Sequence, residues 1–239
     1  MKRKREEDWK RIWDGILDLR QIRDSPIDIL GCDKLTDKSA PKEVSDFQTL
    51  IAAMLSSQTK DEKTAAAMVA LKTLPGGLTI DSIIAETEES IVSVIYGVSF
   101  HKQKAANIKK AAVKLREEYD GVLPDKFDEL LKFPGVGPKM ANLVLNCAFN
   151  KQSGICVDSH VHRLCGKLGW GCRKCKDCRE PEHTRLALEG WLPHDLWGEF
   201  TVVLVGLGQL MQRGKGKLNE RIEMTADPDF SRRLLDMLK

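Results

Sequence analysis

The chain has 239 residues, 42% of them hydrophobic and 31% charged, which suits a soluble globular protein with one large core or two modest ones. Lys and Arg number 38 against 35 Asp and Glu, a formal excess of +3 that permits a nucleic-acid partner without demonstrating one. The longest apolar run, residues 200–211, is too short and too broken by glycine to span a membrane, and no signal-peptide core opens the chain, so an intracellular protein with no membrane partner is expected.

Trp9, Ile12, Trp13, Ile16 and Leu17 recur at helical spacing and predict a first amphipathic helix that ends before Pro26. Residues 24–41 read as a polar connection. Ser45 with Gln48 makes a capping-box pattern, and Phe47, Leu50, Ile51, Met54 and Leu55 supply the buried face of the helix behind it. Thr59 with Glu62 opens the next helix, which Pro75-Gly76-Gly77 closes. Thr79 and Thr87 stand at the N-caps of two short helices. Between residues 102 and 119, Ala105, Ile108, Ala112 and Leu115 form an apolar stripe set against Lys104, Lys109, Lys110 and Lys114, with Gly121 as the stop.

Residues 130–168 are the stretch the rest is organised around. A helix end at Leu130 and Leu131 runs into Phe133-Pro134-Gly135-Val136-Gly137-Pro138, and an apolar helix with Met140, Leu143, Val144 and Cys147 on one face follows at Lys139. Gly135 and Gly137, flanking Val136, allow a positive-φ turn that aims several N–H groups at one point, a nest for a phosphate reinforced by the helix dipole. An amine in the first helical turn lies beside partial positive charge, which favours its neutral, nucleophilic form. Asp158 stands where an N-cap belongs, ahead of His160 and Arg163, and capping favours its ionised form. A tight connection, a solvated lysine and an ordinary cap are the plain alternatives.

Beyond Trp170 a cysteine-rich loop leads to Pro181 at a helix N1 position, with Leu186, Leu188 and Trp191 on that helix. Leu196, Phe200, Val203, Leu204 and Leu207 mark the most apolar helix of the C-terminal part. Arg213-Gly214-Lys215-Gly216-Lys217 breaks the pattern, and a last short helix carries Phe230, Leu234 and Leu238. Nothing alternates long enough to argue a sheet, so the chain reads as all-α.

The segment Leu131-Lys132-Phe133-Pro134-Gly135-Val136-Gly137-Pro138-Lys139-Met140-Ala141, with Val157-Asp158-Ser159-His160 after it, resembles the helix-hairpin-helix and catalytic motifs of the endonuclease III family of DNA glycosylases, nearest its eukaryotic branch. Met54-Leu55-Ser56-Ser57-Gln58-Thr59-Lys60-Asp61 and Val205-Gly206-Leu207-Gly208-Gln209 are similar to family segments too. The resemblance implies a six-helix barrel over residues 40–151. A second helical domain would be built from an N-terminal tail and helix, residues 1–39, and a C-terminal part, residues 152–239. DNA would lie in a cleft between them.

It also implies a base-excision-repair enzyme, glycosylase and AP lyase, acting as a monomer on double-stranded DNA that carries an oxidised pyrimidine or an abasic site. Lys139 would be the nucleophile that forms a Schiff base, and Asp158 would steady positive charge and assist proton transfer. No metal or nucleotide cofactor is needed for that chemistry. A base inside the stack is out of reach, so the nucleotide must be flipped and the gap filled. The resemblance gives that role to Gln58 and a second wedge to Phe100, apolar insertion being a known device for unstacking a step. Gly135, Val136, Gly137 and His160 would touch the DNA backbone. A monofunctional glycosylase and a non-catalytic hairpin module remain as alternatives. The tetrad Lys2-Arg3-Lys4-Arg5 suits a nuclear address, with the mitochondrion as a second location, though it also suits a solvated tail.

Seven cysteines is an odd number without a secretory signal, which favours free thiols or a metal over disulfides. Most of the family carries a [4Fe–4S] cluster on four cysteines just after the segment matched by Gly208-Gln209. Here residues 210–239 contain none, so the usual cluster motif is expected to be missing. Cys165, Cys172, Cys175 and Cys178 offer a similar spacing earlier in the chain and stand as an alternative metal set.

Overall fold

The computed structural model describes residues 2–171 and 180–239, with side chains from Trp9 onward. Among the described residues there are helices and no strand, as periodicity predicts. The chain divides into two compact units, one made of Met1–Ile29 with Gly154–Lys239 and the other of Leu30–Ser153. In chain order, α1 (Lys2–Leu19) and α2 (Pro26–Leu30) come first. The second unit then holds α3 (Lys42–Ser56), α4 (Asp61–Lys72), α5 (Ile80–Ala85), α6 (Glu88–Val94), α7 (His101–Tyr119), α8 (Phe127–Leu130) and α9 (Pro138–Phe149). The chain returns to the first unit with α10 (Ser159–Leu168), α11 (Pro181–Glu189), α12 (Trp197–Gln212), α13 (Lys215–Glu223) and α14 (Pro228–Leu238). None of the described helices is long and apolar enough to cross a membrane.

In the second unit α3 is the central element. It packs on α4, α7 and α9, and Phe47, Leu50, Ile51 and Leu55 are fully buried. The capping box expected at Ser45 and Gln48 does not form. The helix starts three residues earlier, behind Pro41 and with no side-chain cap, and Gln48 is buried, accepting from Asp37 N at 2.8 Å. Each fully buried Leu or Phe stabilises by about 1.5–3 kcal/mol against about 1 for a cap, so burial decides where this helix runs. The caps expected at Thr79 and Thr87 do form, accepting from Ser82 N at 3.2 Å and Ser90 N at 3.1 Å.

In the first unit α10 packs on α12, and α1 packs on α12 and α14. Trp13 stacks on Phe200 at 5.2 Å, and Trp170 meets the same ring at 5.7 Å. Residues 24–41 are more than a polar connection: they contain α2 and a 3-10 turn at Cys32–Lys34, both too short to show a period. Arg20, 0% exposed, explains the ordered start of that stretch. Its guanidinium donates to both oxygens of Asp28 at 2.8 and 2.6 Å and to Ser25 Oγ at 3.0 Å. Ser25 Oγ in turn donates to Gly206 O at 3.0 Å, and Ile27 N donates to Gln209 Oε1 at 3.0 Å. Any Cβ at position 206 would overlap Arg20, so a glycine is required there.

The expected break at residues 213–217 is also short-lived. After Gly214, at φ 101°, α13 begins immediately, and its Lys217 and Arg221 reach Asp24 at 2.7 and 2.8 Å. Burial alone would raise the Asp24 carboxyl, but these two cations hold it below the usual carboxylate range. α14 then buries Leu234, Leu235 and Leu238 in the core of this unit.

Candidate active site

The hairpin between α8 and α9 is anchored from below. Phe133 and Val136 are buried, Phe133 lies against Tyr119 at 5.3 Å, and Val136 N closes the turn on Phe133 O at 3.1 Å. The two glycines differ. Gly135 sits at φ 75°, where L side chains are strained, and the Asn107 side chain lies against its α-carbon. Gly137 is extended at φ −102° with open space around it, so a shared positive-φ turn is not what it supplies. Among the described residues the N–H groups of Gly135 and Gly137 have no acceptor, whereas that of Val136 is already used in the turn. The outcome is two amides beside the positive end of α9, the makings of an anion nest with Val136 as its buried support.

Lys139 is the second residue of α9, directly after Pro138 at N1, and it is exposed. Cys32, in the 3-10 turn that packs on α3 and α9, lies within electrostatic range of it. Burial pushes the Cys32 thiol up to about 12, with Asp61 adding to the rise and Ser56 and Lys139 opposing it. A protonated thiol is a poor nucleophile, so Cys32 does not compete with the amine at neutral pH. Nothing in the sequence pattern pointed to Cys32.

Four described non-glycine residues have positive φ: Gln58 at 51°, Phe100 at 56°, Asp120 at 53° and Asn150 at 52°. Asp120 and Asn150 end helices, a place where short polar side chains tolerate this conformation. Gln58, just past the C-cap of α3, and Phe100, the N-cap of α7, carry larger side chains that rarely take this conformation, and each costs about 1–3 kcal/mol. Both side chains are exposed, Phe100 to 64%. The two residues that the resemblance names as gap fillers are thus the two holding unexplained strain.

The lysines expected on the solvated face of α7 do not all lie there. Lys104 is buried, and its Nζ donates to Leu55 O at 2.7 Å, Ser57 O at 2.6 Å and Thr59 Oγ1 at 3.1 Å. Lys109 donates to Ile84 O at 3.0 Å and, more closely, to Glu86 O. Lys104 was legible in principle, because it stands four residues before Ile108 on the buried stripe.

In the other unit Asp158 is the N-cap of α10, its Oδ1 accepting from Val161 N at 2.9 Å. His160, two residues on, packs so closely on α12 that a Cβ at Gly208 would overlap its ring. That contact fixes the first turn of α10, and Gly208 is a residue the sequence reading left without a reason. His162 bonds Thr184 Oγ1 at 2.7 Å, tying α10 to α11. Lys139 and Asp158 therefore belong to different units, each set by a helix start.

α13 and α14 carry no cysteine and supply Ile222, Leu234, Leu235 and Leu238 to the apolar core. Cys165 is fully buried on α10 beside Leu164 and Leu168, and burial drives its thiol far above the ordinary range, the state of a small apolar filler. Cys172, Cys175 and Cys178 lie outside the described residues. Among the described residues no group of three or more His, Cys, Asp or Glu side chains could hold a metal ion.

Comparison with known proteins follows the same line. Residues 51–194 match the family described as HhH-GPD superfamily base excision DNA repair protein. Endonuclease III-like protein 1 of Gallus gallus is 45% identical over 225 residues, covering 92% of this chain and 78% of that protein. The protein of the same name from Bos taurus is 44% identical over 203 residues, covering 85% of this chain and 65% of that one. A solved structure of a non-covalent endonuclease III–DNA complex superposes with a TM-score of 0.65 at 27% identity, covering 80% of this chain and 89% of that one.

Proposed function

The chain belongs to the HhH-GPD superfamily of base excision DNA repair proteins as an endonuclease III-like DNA glycosylase, and from that premise we propose that it is bifunctional, excising oxidised pyrimidines from duplex DNA and then cleaving the strand 3′ to the abasic site. The observation that carries this reading is the exposed Lys139 in the first turn of α9, directly behind a hairpin with two unused amides. A phosphate taken by those amides brings the sugar of its nucleotide to the amine.

In its unprotonated form Lys139 Nζ attacks C1′ of the extruded nucleotide, the bond from C1′ to the base breaks, and the base leaves with the electron pair and gains a proton. Opening of the sugar ring gives an imine between Nζ and C1′. Loss of a proton from C2′ then expels the 3′ phosphate, and water hydrolyses the imine to free the lysine. Asp158, held by its cap bond to Val161, supplies the carboxylate that steadies positive charge on the sugar and relays protons. Gln58 and Phe100 enter the space the base leaves. The likeness to a solved endonuclease III–DNA complex supports duplex DNA as the partner, and the basic tetrad at residues 2–5 supports the nucleus as its location.

Borohydride reduction during reaction with a duplex carrying thymine glycol tests the reading. The wild-type protein should become covalently joined to the DNA, and Lys139→Ala should not. A wild-type protein that releases the base but forms no adduct would be monofunctional, and one that binds the duplex without releasing the base would be a binding module.

A further inference from the structure

Lys104 touches none of the groups that react, yet its side chain holds the loop that carries Gln58 while its main chain opens the helix behind Phe100. Its main-chain N–H donates to Phe100 O at 3.0 Å, the first hydrogen bond of α7. Its ammonium donates to Leu55 O, Ser57 O and Thr59 Oγ1, so two of its acceptors flank Gln58 on either side. Thr59 Oγ1 passes its own proton to Ser57 O at 3.1 Å, closing the set into a ring around the Gln58 peptide. The three acceptors match the three protons of an ammonium, and two of them are carbonyls at the end of α3, where a helix has orphan acceptors and a negative dipole end.

We propose that Lys104 is a positioning residue whose ammonium fixes the loop around Gln58 in one geometry, so that the Gln58 side chain is held ready to enter the DNA gap. The proposal rests on the reading of Gln58 as a gap filler. It adds a reason for the positive φ at Gln58: a single buried side chain, bonded on both sides of that residue, over-determines the backbone that would otherwise relax. A lysine that merely capped α3 would stabilise the fold but would be indifferent to what residue 58 does.

A double-mutant cycle separates the two roles. Lys104→Met keeps the length and apolar stem of the side chain and removes the three donors; Gln58→Ala removes the gap filler. Base release from a thymine glycol duplex is measured in single turnover for both single variants and the pair, with urea melts to register folding. Lys104→Met should slow release about tenfold, equivalent to 1.4 kcal/mol of barrier, and should add less than about twofold once Gln58 is alanine. Thr59→Val, which removes one acceptor and leaves the lysine in place, should show a smaller loss with the same dependence on Gln58, and it serves where Lys104→Met folds poorly. Losses that multiply in the double variants, or a Lys104→Met enzyme as fast as the wild type, would overturn the proposal. If Gln58→Ala alone reacts at the wild-type rate, the gap-filling reading falls and this proposal with it, while trapping at Lys139 reports on the chemistry separately.

Discussion

In the unit that carries Lys139, three buried or half-buried lysines point at main-chain carbonyls: Lys104 at Leu55 and Ser57, Lys109 at Ile84 and Glu86, and Lys72 at Leu35 O at 2.7 Å. In the unit that carries Asp158, the buried cations are arginines held by carboxylates, Arg20 by Asp28 and Arg221 by Asp24. An ammonium is a point charge with rotatable donors, suited to gathering the loose carbonyls at a helix end. A guanidinium is a rigid fork that fits a carboxylate and fixes direction. The lysines accordingly shape short loops, among them the one with Gln58. Arg221 ties Asp24 to α13, and Arg20 orders the turn whose Ser25 reaches Gly206 O on α12.

That contrast can be broken first at Arg20. Replacing it with Met leaves the buried Asp28 carboxylate without a counter-charge, with only Ser25 N still donating to it, and should cost about 3–5 kcal/mol in urea melts. A loss below 1 kcal/mol would mean the pair is not a keystone. The two hairpin glycines sharpen it next. Gly135→Ala meets both positive φ and Asn107 and should destabilise by about 1–3 kcal/mol. Gly137→Ala, with acceptable φ and open space, should melt within about 0.5 kcal/mol of wild type. A drop in DNA affinity for Gly137→Ala without a change in stability would assign that glycine to the close approach of a phosphate. Thr79→Ala removes a cap in the lysine-dominated unit and should cost about 1 kcal/mol, measured the same way.

A further effect should be alkaline. Burial lowers the Lys104 ammonium from its ordinary 10.5 to about 8, so between those values the unfolded chain binds more protons than the folded one. Stability relative to Lys104→Met should therefore rise with pH across that window and stay flat, at its lowest, below it. A difference that does not change between pH 8 and 10.5 would place the ammonium in solvent.

Much of the architecture could be read without coordinates. The amphipathic stripes, the caps at Thr79, Thr87 and Asp158, the Pro181 helix start and the place of Lys139 after the hairpin all depend on neighbours three or four residues away, and local spacing is what a sequence displays directly. Ser45 and Gln48 show the limit, because the same local pattern lost to the burial of Phe47 and its neighbours.

The partners of Lys104 lie 45 to 49 residues away, and those of Gly206 and Gly208 are Arg20, just past the end of α1, and His160 on α10. By itself, then, the sequence determined the longer amphipathic helices, several of their starts and the reactive residue types. Only tertiary packing decided which lysine turned inward, which glycine had to be one, and which loops were held under strain, because a buried charge must find its partner wherever the fold places one.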